Sequence, residues 1–181
     1  MEHHAVTPRA VARGLLVVAG VLLVQSTIVL EITVAGTHPD IMVLLPVAAG
    51  IAAGPEEGAV VGFVGGIAAD LLLPTPFGLS ALVGCLVGYA VGFTTGSITR
   101  EVWWFPPLVA LAASAAWVML YAVLGAVLGE GQFVQVDLVA VVLVVAVANA
   151  VLATPAVRVM GWVLGPSSGQ RARTRAAGSR W

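Results

Sequence analysis

Glycine recurs at every fourth position through two consecutive apolar stretches, and this spacing constrains the fold more than any other feature. In the first stretch glycine occupies positions 50, 54, 58, 62 and 66, and the next position of the series is Asp70. In the second it occupies 84, 88, 92 and 96. Residues four apart lie on nearly the same face of a helix, so each stretch presents a row of bare backbone. We expect the two helices to pack antiparallel along these glycine rows.

The composition indicates that these helices lie in a membrane. Hydrophobic residues make up 60% of the chain, charged residues make up 9%, and the mean hydropathy is +1.04. In lipid, apolar side chains gain little by leaving the acyl chains, so close backbone packing drives helix association. The sequence predicts an all-α polytopic membrane protein whose domain covers residues 14–165, with six transmembrane helices at 14–30, 39–53, 58–73, 78–99, 102–128 and 138–164.

The second and third segments are shorter than the roughly 20 residues that a crossing helix needs. They could therefore form a re-entrant hairpin, which would leave four full crossings. Such a hairpin would bury Glu56 and Glu57 in the bilayer, at a cost of about 2.5–3.5 kcal/mol for each charge. Two crossings in a locally thinned bilayer cost less, so the sequence favours six spans.

The arginines predict the orientation, because cytoplasmic flanks collect basic residues. All basic residues of the chain are arginines, at 9, 13, 100, 158, 171, 173, 175 and 180. Six spans that start from a cytoplasmic N-terminus place every one of them in the cytoplasm. We expect a cytoplasmic segment at 1–13, a retained first helix, and a disordered basic cytoplasmic tail at 166–181. Such a tail is attracted to anionic lipid, by about 1 kcal/mol for each charge near the surface.

Several function classes are excluded by the residues that carry chemistry. The formal net charge of -1 gives no reason to expect nucleic-acid binding. A single cysteine, Cys85, offers neither a disulfide nor a metal cluster, and His3 and His4 lack further ligands nearby. The sequence places no nucleophile, base and orienting acid together. We therefore expect a protein that is not an enzyme and that uses no cofactor or metal.

Asp70 is the most informative single residue, because it falls inside the third segment and close to a helix C-terminus, where the helix dipole disfavours an anion. The stretch TPFGLS at 75–80 is typical of a helix start with free backbone N–H groups. We predict that these groups hold the Asp70 carboxylate. The alternative is that Asp70 reaches the external headgroup region.

Further polar residues are predicted at the outer side of the bundle. Thr37 and Asp40 match the Thr-x-x-Asp capping box at the start of the second helix. The patch from Gln25 to Thr27 and the amide of Asn149 are expected to face other helices, because polar groups at this depth need partners. An alternative groups Gln25, Asp40, Asp70 and Asn149 around an outward-facing pocket for a small molecule.

The stretch from His38 to Leu79 resembles the MreD family of bacterial rod shape-determining integral membrane proteins. Pro39-Asp40 opens the second helix, and Gly58, Gly62-Phe63, Gly65-Gly66 and Asp70 follow it. The exit reads Pro76-Phe77-Gly78-Leu79. The resemblance also covers the six-span layout and the length of the chain.

The resemblance implies a non-catalytic subunit of the cell-elongation machinery in the bacterial inner membrane, which supports cell shape and peptidoglycan synthesis. Its implied partner is the bitopic protein MreC, and more distantly MreB, RodA and a class B penicillin-binding protein. It also implies kinship in fold with the substrate-binding subunits of energy-coupling-factor transporters. The expected structural or interaction residues are Pro39, Asp40, Gly58, Gly62, Phe63, Gly66, Asp70, Gly78, Gly84, Gly88 and Gly92.

The alternative function is that of a substrate-binding membrane subunit in a transporter for a vitamin-type small molecule. The two functions predict different interiors. A binder needs an enclosed polar cavity with convergent hydrogen-bonding groups, whereas a scaffold is expected to have a filled interior and an apolar groove between helices.

Overall fold

The part of the chain that the structure describes is almost entirely helical. A computed structural model describes residues 8–27, 40–72, 77–96, 104–127, 129 and 138–164. Within these residues there is no strand, and the six predicted helical segments are all present: α1 Pro8–Thr27, α2 Leu44–Ala53, α3 Pro55–Leu72, α4 Leu79–Thr95, α5 Phe105–Val127 and α6 Leu138–Leu164. The predictions for Thr37, Pro39, residues 75 and 76, Arg100 and the tail at 166–181 lie outside the described residues.

Several helix boundaries differ from the sequence-based expectation by three residues or more, among them the starts of α1, α2 and α3. α1 begins at Pro8 instead of Gly14. Proline suits the first helical position, because its missing N–H would have no partner there in any case. α2 begins only at Leu44, after a turn over Ile41–Val43, whereas its predicted start was Pro39.

Length and composition separate the helices into two groups. Two of them, Phe105–Val127 and the part of α6 at Val141–Leu164, are long and apolar enough to cross a membrane. α2 has ten residues and covers only about 15 Å along its axis, so it cannot cross alone. The prediction of six crossings is thus supported by composition for two of the described helices.

α2 is the centre of the packing, although it is the shortest helix. Nine of its ten residues are buried. Val47 and Ile51 belong to a core with α4, α5 and α6, and Leu45 and Ala49 belong to a second core with α1, α3 and α6. A helix that is apolar on all sides is buried on all sides, which explains why this segment lies inside the bundle.

α3 and α4 pack backbone to backbone through the two glycine rows. Gly62 faces Gly84, Gly58 faces Gly88, and Gly66 faces Ala81. Rising numbers on one helix meet falling numbers on the other, so the helices are antiparallel as predicted. A Cβ built on Gly84 would lie 2.5 Å from the carbonyl oxygen of Gly62, closer than real side chains approach backbone.

Gly50 adds a third helix to this contact, which the sequence analysis did not predict. The chain reverses at Gly54, whose φ of 123° suits glycine, and Pro55 begins α3 at once. Gly50 on α2 therefore faces the same partner as Gly58 on α3. A Cβ on Gly50 would lie 2.8 Å from the carbonyl oxygen of Gly88 and 2.9 Å from the amide nitrogen of Gly92. The glycines of α2, α3 and α4 meet at one three-helix junction.

We expect Gly62→Ala to destabilise the protein, because its methyl group would overlap backbone of α4 that cannot move aside. The expected loss is about 1–3 kcal/mol, the usual cost of overpacking. It is measured as a lower apparent melting temperature of the purified protein in detergent.

Gly20→Ala is the matched control, because a Cβ at Gly20 meets no atom within 4 Å. Alanine has the higher helix propensity, so this control should keep or slightly raise the melting temperature. Equal melting temperatures for the two variants would contradict the backbone contact between α3 and α4.

Candidate functional site

The Asp70 carboxylate is held by the start of α4. Its side chain is only 6% exposed. Oδ2 accepts a hydrogen bond from the backbone N–H of Gly78 at 2.8 Å, and Oδ1 accepts one from the N–H of Ser80 at 3.3 Å. The predicted cradle is confirmed, and the interpretation of Asp70 as a group that reaches into the headgroups is wrong. The positive end of the α4 dipole offsets the charge that the end of α3 disfavours.

Two glycines place Asp70 within reach of these N–H groups. Gly66 lies one turn before Asp70, and a Cβ there would overlap the backbone of Ala81 and lie 2.5 Å from the carbonyl carbon of Ser80. Gly78 has a φ of 94°, which directs its N–H toward Asp70 before α4 begins. Nothing lies within 4 Å of a Cβ at Gly78, so glycine is needed there for its backbone conformation and not for space.

A second group of polar side chains surrounds the backbone that leads into α2. Asn149 is fully buried in α6, about 12 Å along the helix from Val141. Its Nδ2 donates to the backbone carbonyl of Asp40 at 2.9 Å and to the hydroxyl of Ser114 on α5 at 3.0 Å. The prediction that Asn149 joins helices by hydrogen bonds is confirmed. We call Asn149, Ser114, Asp40 and Gln25 the polar junction.

The other two members of the polar junction satisfy the amides of the same segment. Oε1 of Gln25 on α1 accepts from the N–H of Ile41 at 3.0 Å, and Oδ1 of Asp40 accepts from the N–H of Met42 at 2.9 Å. The Asp40 carboxylate thus closes a local turn onto Met42 and does not cap α2, which begins after Val43 without a side-chain cap bond. The prediction of Asp40 as part of a helix-capping box is wrong. Gln25 faces other helices as predicted, whereas Thr27 is exposed.

The polar junction brings together three of the four residues assigned to the alternative small-molecule pocket. Gln25, Asp40 and Asn149 meet there, and the start of α4 holds Asp70. The hydrogen-bonding groups of Gln25, Asp40 and Asn149 bind mainly the backbone of residues 40–42. Asn149 Oδ1 is buried without a hydrogen-bond partner, and the amide cannot rotate to improve this, since Nδ2 must face the Asp40 carbonyl. The sequence analysis missed Ser114, which stands in a run of alanines that indicated only close packing.

A cavity of about 170 Å³ lies beside the polar junction between α1, α2 and α6. Its walls are apolar throughout: Val17, Val21, Ile41, Leu44, Leu45, Ala48, Leu152, Ala156, Val159 and Met160. We call this cavity the α1/α6 groove. An apolar groove of this kind matches the interior expected of a scaffold, and it lacks the convergent polar groups expected around a bound vitamin.

The other candidate residues have packing or surface positions. Phe63 is exposed on α3, and Cys85 is half-buried on α4. Glu56 and Glu57 stand in the first turn of α3, at the favourable end of its dipole. Among the described residues, no three His, Cys, Asp or Glu side chains lie close enough together to hold a metal ion.

Comparison with known proteins gives one match. A family model described as rod shape-determining protein MreD matches residues 9–162, which is most of the chain. No curated protein and no solved structure matches.

We expect Asp70→Ala to cost about 2–5 kcal/mol, because it removes two charge-assisted hydrogen bonds and leaves buried N–H groups without an acceptor. Asp70→Asn retains one acceptor oxygen and should lose about half as much. Glu56→Gln is the control, because this exposed carboxylate should contribute little. Thermal denaturation in detergent measures all three. If Asp70→Ala melts like the Glu56 variant, the carboxylate does not stabilise the start of α4.

We expect Asn149→Ala to lower the unfolding free energy by about 1–3 kcal/mol, because the Asp40 carbonyl loses its donor in a low-dielectric interior. Val147→Ala removes a 56% exposed side chain two residues away on the same helix and should have a much smaller effect. Ser114→Ala should fall between them, since it removes only one of the two bonds. The same melting assay ranks the variants, and any other order would contradict the bonds that define the polar junction.

Proposed function

The chain belongs to the MreD family of rod shape-determining proteins, and from this premise we propose that it is a non-catalytic membrane scaffold of the bacterial cell-elongation machinery. In this role it binds an MreC-like bitopic protein and, through it, supports cell shape and peptidoglycan synthesis. MreB, RodA and a class B penicillin-binding protein are the more distant partners of the same assembly. The family is one of bacterial membrane proteins, which agrees with the two long apolar helices.

The observation that carries this proposal is that the polar side chains inside the bundle bind the protein's own backbone. The described polar side chains at the centre bind the backbone of residues 40–42 and the start of α4. The α1/α6 groove is apolar. A transporter subunit would instead use such groups to bind its substrate, so the arrangement favours a scaffold. The implied kinship with energy-coupling-factor transporters stays a prediction.

The proposed topology keeps all six helices in the membrane, with both termini in the cytoplasm. Arg13 on α1 stacks on Trp162 on α6, so the start of α1 and the end of α6 lie at the same end of the bundle. This supports placing both termini on one side, and the arginines at this end fit the cytoplasmic surface. The short α2 then crosses only part of the bilayer.

We propose that the partner helix docks on the exposed side of α4. Leu82, Leu86, Tyr89 and Phe93 follow one another at helical spacing, and all four are exposed. The rings of Tyr89 and Phe93 stack with their centroids 6.3 Å apart. We call these four residues the α4 outer face. Gly84, Gly88 and Gly92 face α3 instead, which leaves this side of α4 available.

The Tyr89 hydroxyl is the feature of the α4 outer face that favours a protein partner over lipid. Tyr89 lies ten residues, or about 15 Å, beyond the first residue of α4, and its side chain is 50% exposed. Side chains lean toward the N-terminus of their helix, so the hydroxyl points toward the middle of the bilayer. Within the described part of the chain it makes no hydrogen bond. Lipid chains offer no acceptor at that depth, whereas a single-span helix with a polar side chain or a free carbonyl does.

A photo-reactive amino acid tests the proposed docking. Placed at Leu86, it should cross-link to a co-expressed MreC-like protein, because Leu86 lies one turn from Tyr89 on the α4 outer face. Placed at Val147, which is exposed to a similar degree on α6, it should not. Cross-links from Val147 alone would assign the partner to another face.

Tyr89→Phe separates the hydroxyl from the ring. It keeps the stack with Phe93 and should weaken co-purification with the partner about threefold, the effect of one hydrogen bond of about 0.6 kcal/mol between membrane helices. Phe93→Leu is the companion variant, which removes the stack and keeps the hydroxyl. If Tyr89→Phe retains full binding, the hydroxyl has no acceptor on the partner.

A further inference from the structure

The α1/α6 groove is open toward the membrane along one side. Leu152 and Val159 on its rim are partly exposed, whereas Leu44 and Met160 on its floor are buried. Its α6 wall runs from Leu152 to Met160, which is about 12 Å along the helix. The groove is therefore a narrow apolar slot that runs parallel to the helices and is accessible from the side.

A basic and aromatic cluster lies at one end of this slot. The Arg13 guanidinium carbon is 4.4 Å from the centroid of the Trp162 ring. Arg13 comes one turn before Val17, and Trp162 comes one turn after Val159, so both adjoin the same end of the groove. Arg158 is exposed on α6, but it lies on the side of the helix turned away from Ala156 and Val159 and does not adjoin the groove.

Arg13 remains available to an anion. Among the described residues it forms no ion pair. A guanidinium that stacks on an aromatic ring uses its face and leaves its N–H groups at the edge free to bind phosphate oxygens. Tryptophan and arginine together are typical of the headgroup depth of a membrane.

The dimensions of the groove limit what can occupy it. The slot is about 12 Å long along α6, narrow, and lined by apolar side chains alone, so it offers neither polar partners nor a broad face to an occupant. An extended hydrocarbon chain is thin enough, and the walls offer it only apolar contacts. The occupant thus combines a hydrocarbon chain with an anionic group near its end.

We propose that the α1/α6 groove binds one anionic phospholipid of the cytoplasmic leaflet. One acyl chain lies in the slot, and the phosphate accepts hydrogen bonds from Arg13. This site is separate from any attraction of the basic tail for anionic lipid, because the tail offers charge without a groove. A bound lipid fills the space that α1 leaves beside α2 and fastens α1 to the bundle.

Native mass spectrometry of the full-length protein tests the site, with phosphatidylglycerol and phosphatidylcholine of identical acyl chains as probes. The wild type should retain one phosphatidylglycerol in preference to phosphatidylcholine. Arg13→Gln should lower phosphatidylglycerol affinity about fivefold, since a basic residue contributes about 1 kcal/mol toward an anionic headgroup. Phosphatidylcholine affinity should fall less, because the choline cation offsets the charge of its phosphate. Ala156→Leu fills the slot and should lower the retention of both lipids.

Three controls make each outcome decisive. Arg171→Gln removes a charge from the tail and should leave the single tightly bound lipid in place, whereas a loss equal to that of Arg13→Gln would overturn the groove in favour of general charge attraction. Inorganic phosphate should not displace the lipid. Displacement at millimolar concentration would show that Arg13 binds a free anion instead of a lipid headgroup. Val147→Leu adds bulk to the lipid-facing side of α6 and should change nothing. Equal retention of the two lipids by the wild type would also overturn the proposal.

Discussion

A bilayer offers no hydrogen bonds to a backbone that leaves the helical conformation within it, and the structure is arranged around this constraint. The segment that enters α2 is irregular at residues 40–43 and lies among helices. Its polar groups are satisfied from three directions, by Gln25 of α1, by Asn149 of α6 and by the side chain of Asp40. Without these bonds each orphaned group would cost several kcal/mol in hydrocarbon. A short helix can therefore begin inside the bundle.

The glycine rows allow the second polar arrangement. Because Gly66 lets the start of α4 approach the backbone of α3, a side chain as short as aspartate reaches the N–H groups of Gly78 and Ser80. One series of residues thus supplies both the close packing and the charge that joins the two helices. Gly50 extends the same contact to α2, so that the three central helices share one close backbone contact.

The parts that sequence reasoning could predict are those set by residues near one another in the chain. The pairing of α3 with α4 follows from a four-residue period, and the cradle of Asp70 follows from the dipoles of two consecutive helices. The buried start of α2 could not be predicted in this way, because it depends on Asn149, more than one hundred residues away, and the capping-box pattern at Thr37 and Asp40 pointed to a helix that begins earlier. The contact of Gly50 with α4 was missed for a different reason. The reversal at Gly54 places it on another helix, yet still against α4.

The three central helices are packed closely, whereas α1 lies at the edge of the bundle. α2, α3 and α4 are joined through backbone, and a substitution at their junction disturbs all three. α1 instead touches mainly α6, and most of its described side chains are exposed. α1 leaves an apolar groove beside α2, and the outer face of α4 carries an exposed tyrosine hydroxyl. The glycine contacts that join the central helices use neither surface, which is why the proposed lipid and the proposed partner helix are placed there.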